Sequence, residues 1–265
     1  MNMLKRGYAN GPFGQIHFEQ CGAGTPIVLF HQMVQSTMQF SEVLPLLANG
    51  GVRAISVDLP GYGMSDLPLE PPSIDEYASV LPALLDHLNL DNCAVAGHHT
   101  GASVAIAAAH RYPDIVNKMV IHGVPYYSAD VMKERAAKPH HDKHIMDDGT
   151  HLTKIWNLFY GAGDGNASLE VTQKSVLNYF SAGEEEWYGH NAVYTHDIWG
   201  AVKSVDVPTL LISNTGDMLN PQDQDLAKER PDFQYHEIEG GTFQYIYDNA
   251  EDWSNIVLPF LVDQA

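Results

Sequence analysis

The chain predicts an α/β fold, with a mostly parallel central sheet, helices on both faces and a helical cap inserted over one end. Three observations carry that expectation. Short apolar runs alternate with segments of helical period up to about residue 122, and the rhythm resumes near residue 205. The apolar strand Cys93-Ala94-Val95-Ala96 enters the tight turn Gly97-His98-His99-Thr100-Gly101 and leaves it as a helix of small residues, Ala102–Ala109. Between Pro125 and about Val205 the rhythm breaks into a stretch rich in His, Tyr, Trp and Asp.

The elements follow in order. Gly14–Cys21 alternates as a half-buried strand does, and Pro26–Phe30 is a short apolar one. Ser36 is placed to cap a helix running through Phe40, Val43, Leu44 and Leu47 to the glycines Gly50-Gly51. Arg53–Val57 is the next strand and leads into Asp58–Asp66, a loop dense in turn formers. A helix from about Ser73 to Leu88 precedes the strand–turn–helix unit, and Lys118–His122 is a further strand. Helical fragments are expected around Leu152–Tyr160 and Val171–Ser181. Strands at Pro208–Ser213 and Phe233–Ile238 and a closing helix through Trp253, Ile256, Val257 and Leu261 complete the pattern. The division expected is a core of residues 1–125 and 205–265 with a cap over 126–204. No internal repeat or low-complexity tract interrupts it.

At 265 residues the chain is long enough for one domain with an insertion. Fourteen Lys and Arg against 33 Asp and Glu give a net charge of −19. Such a surface repels phosphate backbones and anionic lipid, so neither nucleic acid nor membrane is an expected partner. The first residues lack the apolar run of a signal peptide, and no stretch approaches the ~20 apolar residues of a membrane span. Cys21 and Cys93 are the two cysteines, and Cys93 falls in an apolar strand. A disulfide framework is not expected, and a cytoplasmic location fits. Oligomeric state has no signature here.

Five segments, arriving in the right order, resemble the α/β-hydrolase superfamily. Gly97-His98-His99-Thr100-Gly101 is similar to the Gly-x-Ser-x-Gly nucleophile elbow. Asp58-Leu59-Pro60-Gly61-Tyr62-Gly63-Met64-Ser65 is close to the family's Asp-x-Pro-Gly-x-Gly-x-Ser segment, and Phe30-His31-Gln32-Met33 resembles its oxyanion loop. Asn214-Thr215-Gly216-Asp217 is similar to the acid loop, and Gly240-Gly241-Thr242-Phe243 stands where the family carries its histidine. The resemblance covers nearly the whole chain and implies an α/β-hydrolase fold. By the same comparison the serine position holds His99, the histidine position holds Thr242, and Asp217 alone keeps its type.

Serine is a weak nucleophile until a neighbouring base takes its proton. Without hydroxyl and relay imidazole, the serine-esterase route is closed to this site. An imidazole at position 99 reaches further than a serine, into the space that the small Thr242 leaves. There Asp217 would accept one ring N–H, fix the tautomer and leave the other nitrogen as base or nucleophile. The resemblance implies the Met33 and Thr100 amides as oxyanion donors, with Gln32 unusual where glycine is common.

Each candidate has a plainer role beside this one. His99 could be a hydrogen-bonded residue in a dead site, although a strained elbow is costly to keep without use. Asp217 could close its own turn or cap the helix after Pro221. His31 and His122 divide between packing and substrate contact, and His98 is expected to face away from its neighbour into the core. Tyr126, Trp156, Thr242 and Phe243 are candidate cleft residues, pointing to an apolar or aromatic substrate. His140, His141, His144 and His151 invite a metal, but no cysteine or paired carboxylate completes a set, so none is expected.

The expectation for function is a cofactor-free enzyme acting on a small, largely apolar ester, lactone or ketone, by hydrolysis or lyase-type cleavage. The alternatives are a small-molecule receptor or pseudoenzyme on the same fold, and cofactor-free oxygen chemistry.

Overall fold

The computed structural model describes residues 3–138, 145–162 and 168–262. In it eight strands, β1 (Lys5–Gly11), β2 (Gly14–Cys21), β3 (Thr25–Phe30), β4 (Val52–Val57), β5 (Cys93–His98), β6 (Val116–His122), β7 (Thr209–Asn214) and β8 (Gln234–Ile238), form one sheet. Their order is β1-β2-β4-β3-β5-β6-β7-β8. β2 runs antiparallel to β1 and β4, and every other neighbouring pair is parallel. This is the α/β-hydrolase architecture.

Period-2 alternation splits each central strand between two cores. Val28 and Phe30 of β3 face the layer built by α2 (Ile74–Ala78), α3 (Val80–Leu88) and α4 (Thr100–Arg111). Ile27 and Leu29 face the opposite layer, α1 (Val43–Asn49) and α12 (Ala250–Val262). Both layers are needed because β3, β5 and β7 are buried on both faces, at roughly 1.5–3 kcal/mol per large aliphatic side chain. α4 is nearly all small residues so that it can lie close on β5. A Cβ at Gly97 would come within 2.0 Å of the Gly101 carbonyl, and one at Gly101 within 2.0 Å of the Phe30 carbonyl.

Three expectations about elements need correction. β1 was not anticipated; it pairs with β2 through the Pro12-Phe13 turn, and its polar composition hides it because it is an exposed edge. Ser36 does cap, accepting from Met38 N–H, but only a short 3-10 turn over Thr37–Phe40; α1 starts afresh at Val43. The helix expected from Ser73 to Leu88 has its capping box with Glu76 but breaks at Ser79 into α2 and α3. Pro82 has no N–H for the Ala78 carbonyl, so a continuous helix would lose that bond.

Among the described residues between β6 and β7 stand five α-helices: α5 (Ala129–Ala136), α6 (Thr150–Ala162), α7 (Leu169–Ser181), α8 (Tyr188–Thr195) and α9 (Ile198–Ser204). Ser128, Ser168 and Asp197 start α5, α7 and α9 by accepting N–H groups two or three residues into each helix. A buried polar cluster seats α7. Ser36 Oγ donates to Asn178 Oδ1 (3.0 Å), and Asn178 Nδ2 donates to Gln35 Oε1 (2.9 Å). Ser175 Oγ receives Gln35 Nε2 (3.0 Å) and Gln244 Nε2 (2.7 Å). Two further helices, α10 (Asn220–Glu229) and α11 (Tyr245–Asp248), follow the last two strands.

Candidate active site

β5 ends in a turn whose central residue is strained. His99 sits at φ 51°, ψ −116°, a region that costs a residue with a Cβ about 1–3 kcal/mol. Backbone bonds hold it there: His99 N–H donates to the His122 carbonyl at 2.9 Å, and Ala102 N–H donates to the His99 carbonyl at 2.9 Å. The positive φ breaks strand alternation, so His98 does not turn away from its neighbour as expected. The two rings pack 4.5 Å apart, centroid to centroid.

The turn after β7 brings Asp217 to His99. Asp217 Oδ2 lies 2.7 Å from His99 Nε2, and its other oxygen accepts the Leu219 N–H at 2.8 Å. Asp217 therefore closes its own turn and holds the ring at once. Burial pushes its carboxyl up, but the His99 imidazole and the Leu219 amide outweigh this and leave it below the usual carboxylate range. An ionised carboxylate accepts, so His99 Nε2 carries the proton and Nδ1 the lone pair. The Cδ2–Nε2 edge of the ring lies against Gly123, at φ +63°, where an added Cβ would meet Cδ2 at 2.5 Å. Nδ1 is on the opposite edge. Asp223, fully buried and pushed well above its ordinary pKa by that burial, steadies this turn by accepting the Val124 N–H at 2.7 Å.

Two buried histidines lie behind the ring, and hydrogen bonds fix both tautomers. Gln32 N–H donates to Gln39 Oε1 (2.9 Å), which turns the Gln39 amide N–H toward His98 Nδ1 (2.6 Å). Asn214 Nδ2 donates to the Gly240 and Thr242 carbonyls, so its Oδ1 accepts from His122 Nε2 (2.9 Å). His98 is left with a buried Nε2–H donor and His122 with a buried Nδ1 acceptor, on rings 4.9 Å apart. Burial pushes both pKa values down, that of His122 to about 4. Both rings stay neutral, so His99 is the imidazole in this stack with access to solvent.

The same tautomers answer the metal question. His98, His99 and Asp217 bring potential ligand atoms within 4.8 Å of one another. Yet His98 Nδ1 already accepts from Gln39 and its Nε2 bears hydrogen, so the ring has no lone pair to give. The donor set does not fit a metal. His151 uses Nδ1 to accept the Met146 N–H and packs on Phe180; His140, His141 and His144 lie outside the described residues.

His99 opens onto a cavity of about 210 Å³ between the sheet and the inserted helices. Its walls are mainly apolar, with Met33, Val34, Phe159, Met218 and Phe243 prominent. Of the residues expected at a cleft, Met33 and Phe243 line it. Thr100 is the first residue of α4, whose leading amides have no partner within the helix.

The other expected contacts lie elsewhere. His31 Nδ1–H donates to the Gln32 carbonyl and its Nε2 accepts the Leu59 N–H, so both nitrogens tie loops together. His98 and His122 are sealed beneath the elbow. The Tyr126 hydroxyl reaches Glu229, and its ring packs on Trp199. Trp156 is half-buried on α6, outside the cavity wall. Thr242 Oγ1 accepts the Gln244 N–H and closes its own turn. The sequence reading missed Gly123, Gln39, Tyr179, Glu186 and His190. Spacing carries no sign of them, because each meets the site through the chain's return.

Residues 25–144 match the alpha/beta hydrolase fold family model. The chain is 29% identical over 221 residues to AB hydrolase superfamily protein YisY of Bacillus subtilis (strain 168), covering 80% of each. It is 26% identical over 263 residues to a 2-hydroxy-6-oxononadienedioate/2-hydroxy-6-oxononatrienedioate hydrolase of Pseudomonas putida, covering 93% of this chain and 91% of that protein. The crystal structure of the enol-lactonase from Burkholderia xenovorans LB400 superposes with a TM-score of 0.82 at 19% identity, covering 97% of this chain and all of that one. No helix among the described residues is long and apolar enough to cross a membrane. The chain has the α/β-hydrolase fold, and over residues 25–144 its sequence is similar to the family of that name.

Proposed function

We propose that the protein is a hydrolase of small, largely apolar carbonyl compounds (esters, lactones or ketones) in which His99 and Asp217 work as a base dyad in place of a serine triad. The observation that carries this reading is the 2.7 Å contact between His99 Nε2 and Asp217 Oδ2 on a strained turn that faces the apolar cavity. The names of the relatives, an enol-lactonase and a hydrolase of an oxo-diacid, support hydrolysis of a small molecule.

In this mechanism His99 Nδ1 takes a proton from water as the water oxygen bonds to the carbonyl carbon. The carbonyl electron pair moves onto its oxygen, where the Met33 and Thr100 amides donate; each such donor is worth roughly 2.7–4 kcal/mol in serine hydrolases. Asp217 stabilises the imidazolium. Collapse expels the leaving group, which takes the proton from Nδ1. For a ketone the departing atom is carbon, and it must leave as an enolate. The described helices α6, α7 and α8 act as a lid over the cavity.

The test is turnover of a panel of aryl and alkyl esters and lactones from about pH 5 to about pH 9. Wild type is expected to turn over at least one and to gain activity as one imidazole loses its proton, with His99→Ala inactive. Equal rates in both proteins would sink the dyad. Silence from wild type together with tight ligand binding would favour a receptor.

A further inference from the structure

We infer that Glu186 sets the specificity of this cavity and that the substrate carries, besides its carbonyl, a cationic hydrogen-bond-donating nitrogen. The inference rests on the cavity being the substrate site. Glu186 is 4% exposed, and what shows of it lines that cavity. Its backbone is fixed on both sides: Tyr62 Oη donates to the Glu186 carbonyl at 2.8 Å and accepts the Gly189 N–H at 2.9 Å. No ion pair among the described residues uses it. A carboxylate held in an apolar wall without a lysine or arginine is costly, and a ligand cation offsets that cost.

Hydrogen-bond polarity points the same way. Burial, with the Glu186 carboxylate beside it, raises the Tyr179 phenol's pKa, so the phenol keeps its proton. The Glu186 carboxylate presents acceptors, and a ligand group placed against it must donate. An ammonium also gains from the aromatic faces of Tyr179 and Phe159, which meet edge to face at 6.1 Å in the same wall. At about 210 Å³ the cavity is smaller than the ~300–1,000 Å³ typical of drug-sized ligand sites, which limits the substrate to a compact amine. The chain's charge of −19 attracts cations to its surface as a whole.

The test is calorimetric binding of three probes of similar size, benzylammonium, benzyl alcohol and benzoate, at about pH 8, above the ordinary imidazole pKa. Wild type is expected to bind benzylammonium at least about tenfold more tightly than benzyl alcohol and to exclude benzoate. Glu186→Gln should erase that preference, whereas His99→Ala should keep it. General attraction to the acidic surface would survive the loss of one carboxylate among 33 acidic residues, so it predicts no change in Glu186→Gln. Benzylammonium that fails to bind, or binds no better than benzyl alcohol, overturns the inference. So does a preference unchanged in Glu186→Gln. If that variant does not fold, the wild-type ranking of the probes decides. Failure here with His99-dependent ester turnover intact would leave the proposed dyad standing and remove only the amine.

Discussion

Among the described residues, two His–Asp pairs with buried carboxylates have nearly the same length, and the His99 pair faces the cavity. His17 Nδ1 meets Asp58 Oδ2 at 2.8 Å, and His99 Nε2 meets Asp217 Oδ2 at 2.7 Å; both carboxylate side chains are 1% exposed. In both, burial raises the carboxyl pKa, but the imidazole and backbone amides outweigh it and hold the group ionised. The surroundings differ. Asp58 also accepts the Thr37 and Met64 N–H groups, so it ties β2, the turn after β3 and the Asp58–Asp66 loop into one knot. His17 sits in regular strand geometry with its ring against Tyr8. His99 is lifted on a positive-φ turn, and its second nitrogen lies away from Asp217. A His–Asp pair is therefore no sign of chemistry by itself; the free edge of the ring decides.

That contrast predicts opposite outcomes for equivalent substitutions. His99→Ala should lower kcat about 10²–10⁴-fold, the usual contribution of a positioned base, while moving the thermal midpoint little. A drop of only a few-fold would make the two pairs alike and end the distinction. Asp58→Ala should do the reverse. It strands buried donors in three segments and should cost roughly 3–5 kcal/mol in denaturant unfolding, with kcat per folded molecule largely kept. Gly123→Ala tests the ring's seat: the added methyl pushes the His99 ring off Asp217, and about a 10–100-fold loss of kcat per folded molecule is expected, with roughly 1–3 kcal/mol of stability lost to the positive φ. Wild-type kcat in this variant would show that the ring's seat is unimportant.

The smallest effect is in pH. The unfolded chain protonates His122 near pH 6.5, whereas burial delays this in the folded state to about pH 4. The unfolded state thus holds more protons in that window, and stability should fall as pH drops through it. Asp217 and Asp58 work at lower pH: their depressed values contribute stability above the ordinary carboxylate pKa, lost only as pH falls through the folded values. The thermal midpoint of wild type should fall between about pH 6.5 and about pH 4, and that of His122→Asn should fall less. A parallel decline in both would assign the acid sensitivity to other groups.

Much of the fold was written locally. The apolar runs at β3, β5 and β7, the glycines of the elbow and the Ser73–Glu76 capping box are short-range instructions, legible because each concerns residues within a few positions. The exceptions are equally physical. β1 is polar because it is an exposed edge, and the break at Ser79 turns on a single missing N–H three residues later. The joining of His99 to Asp217, 118 residues apart, could be conceived from the motif order, but its 2.7 Å contact and the choice of Nε2 came from the packing of β5, β6 and β7.

The sequence by itself determined the layered α/β plan, the turn that lifts position 99 and the acidic surface, because propensity, periodicity and charge are properties of neighbouring residues. Only the tertiary structure decided which imidazoles are sealed and which one meets solvent. It put His31 and Thr242 into loop bonds, sank His98 and His122 beneath the elbow, and set Glu186 into the cavity wall. Those fates depend on desolvation and on hydrogen-bond partners such as Gln39 and Asn214, supplied by distant segments whose arrival no local pattern encodes.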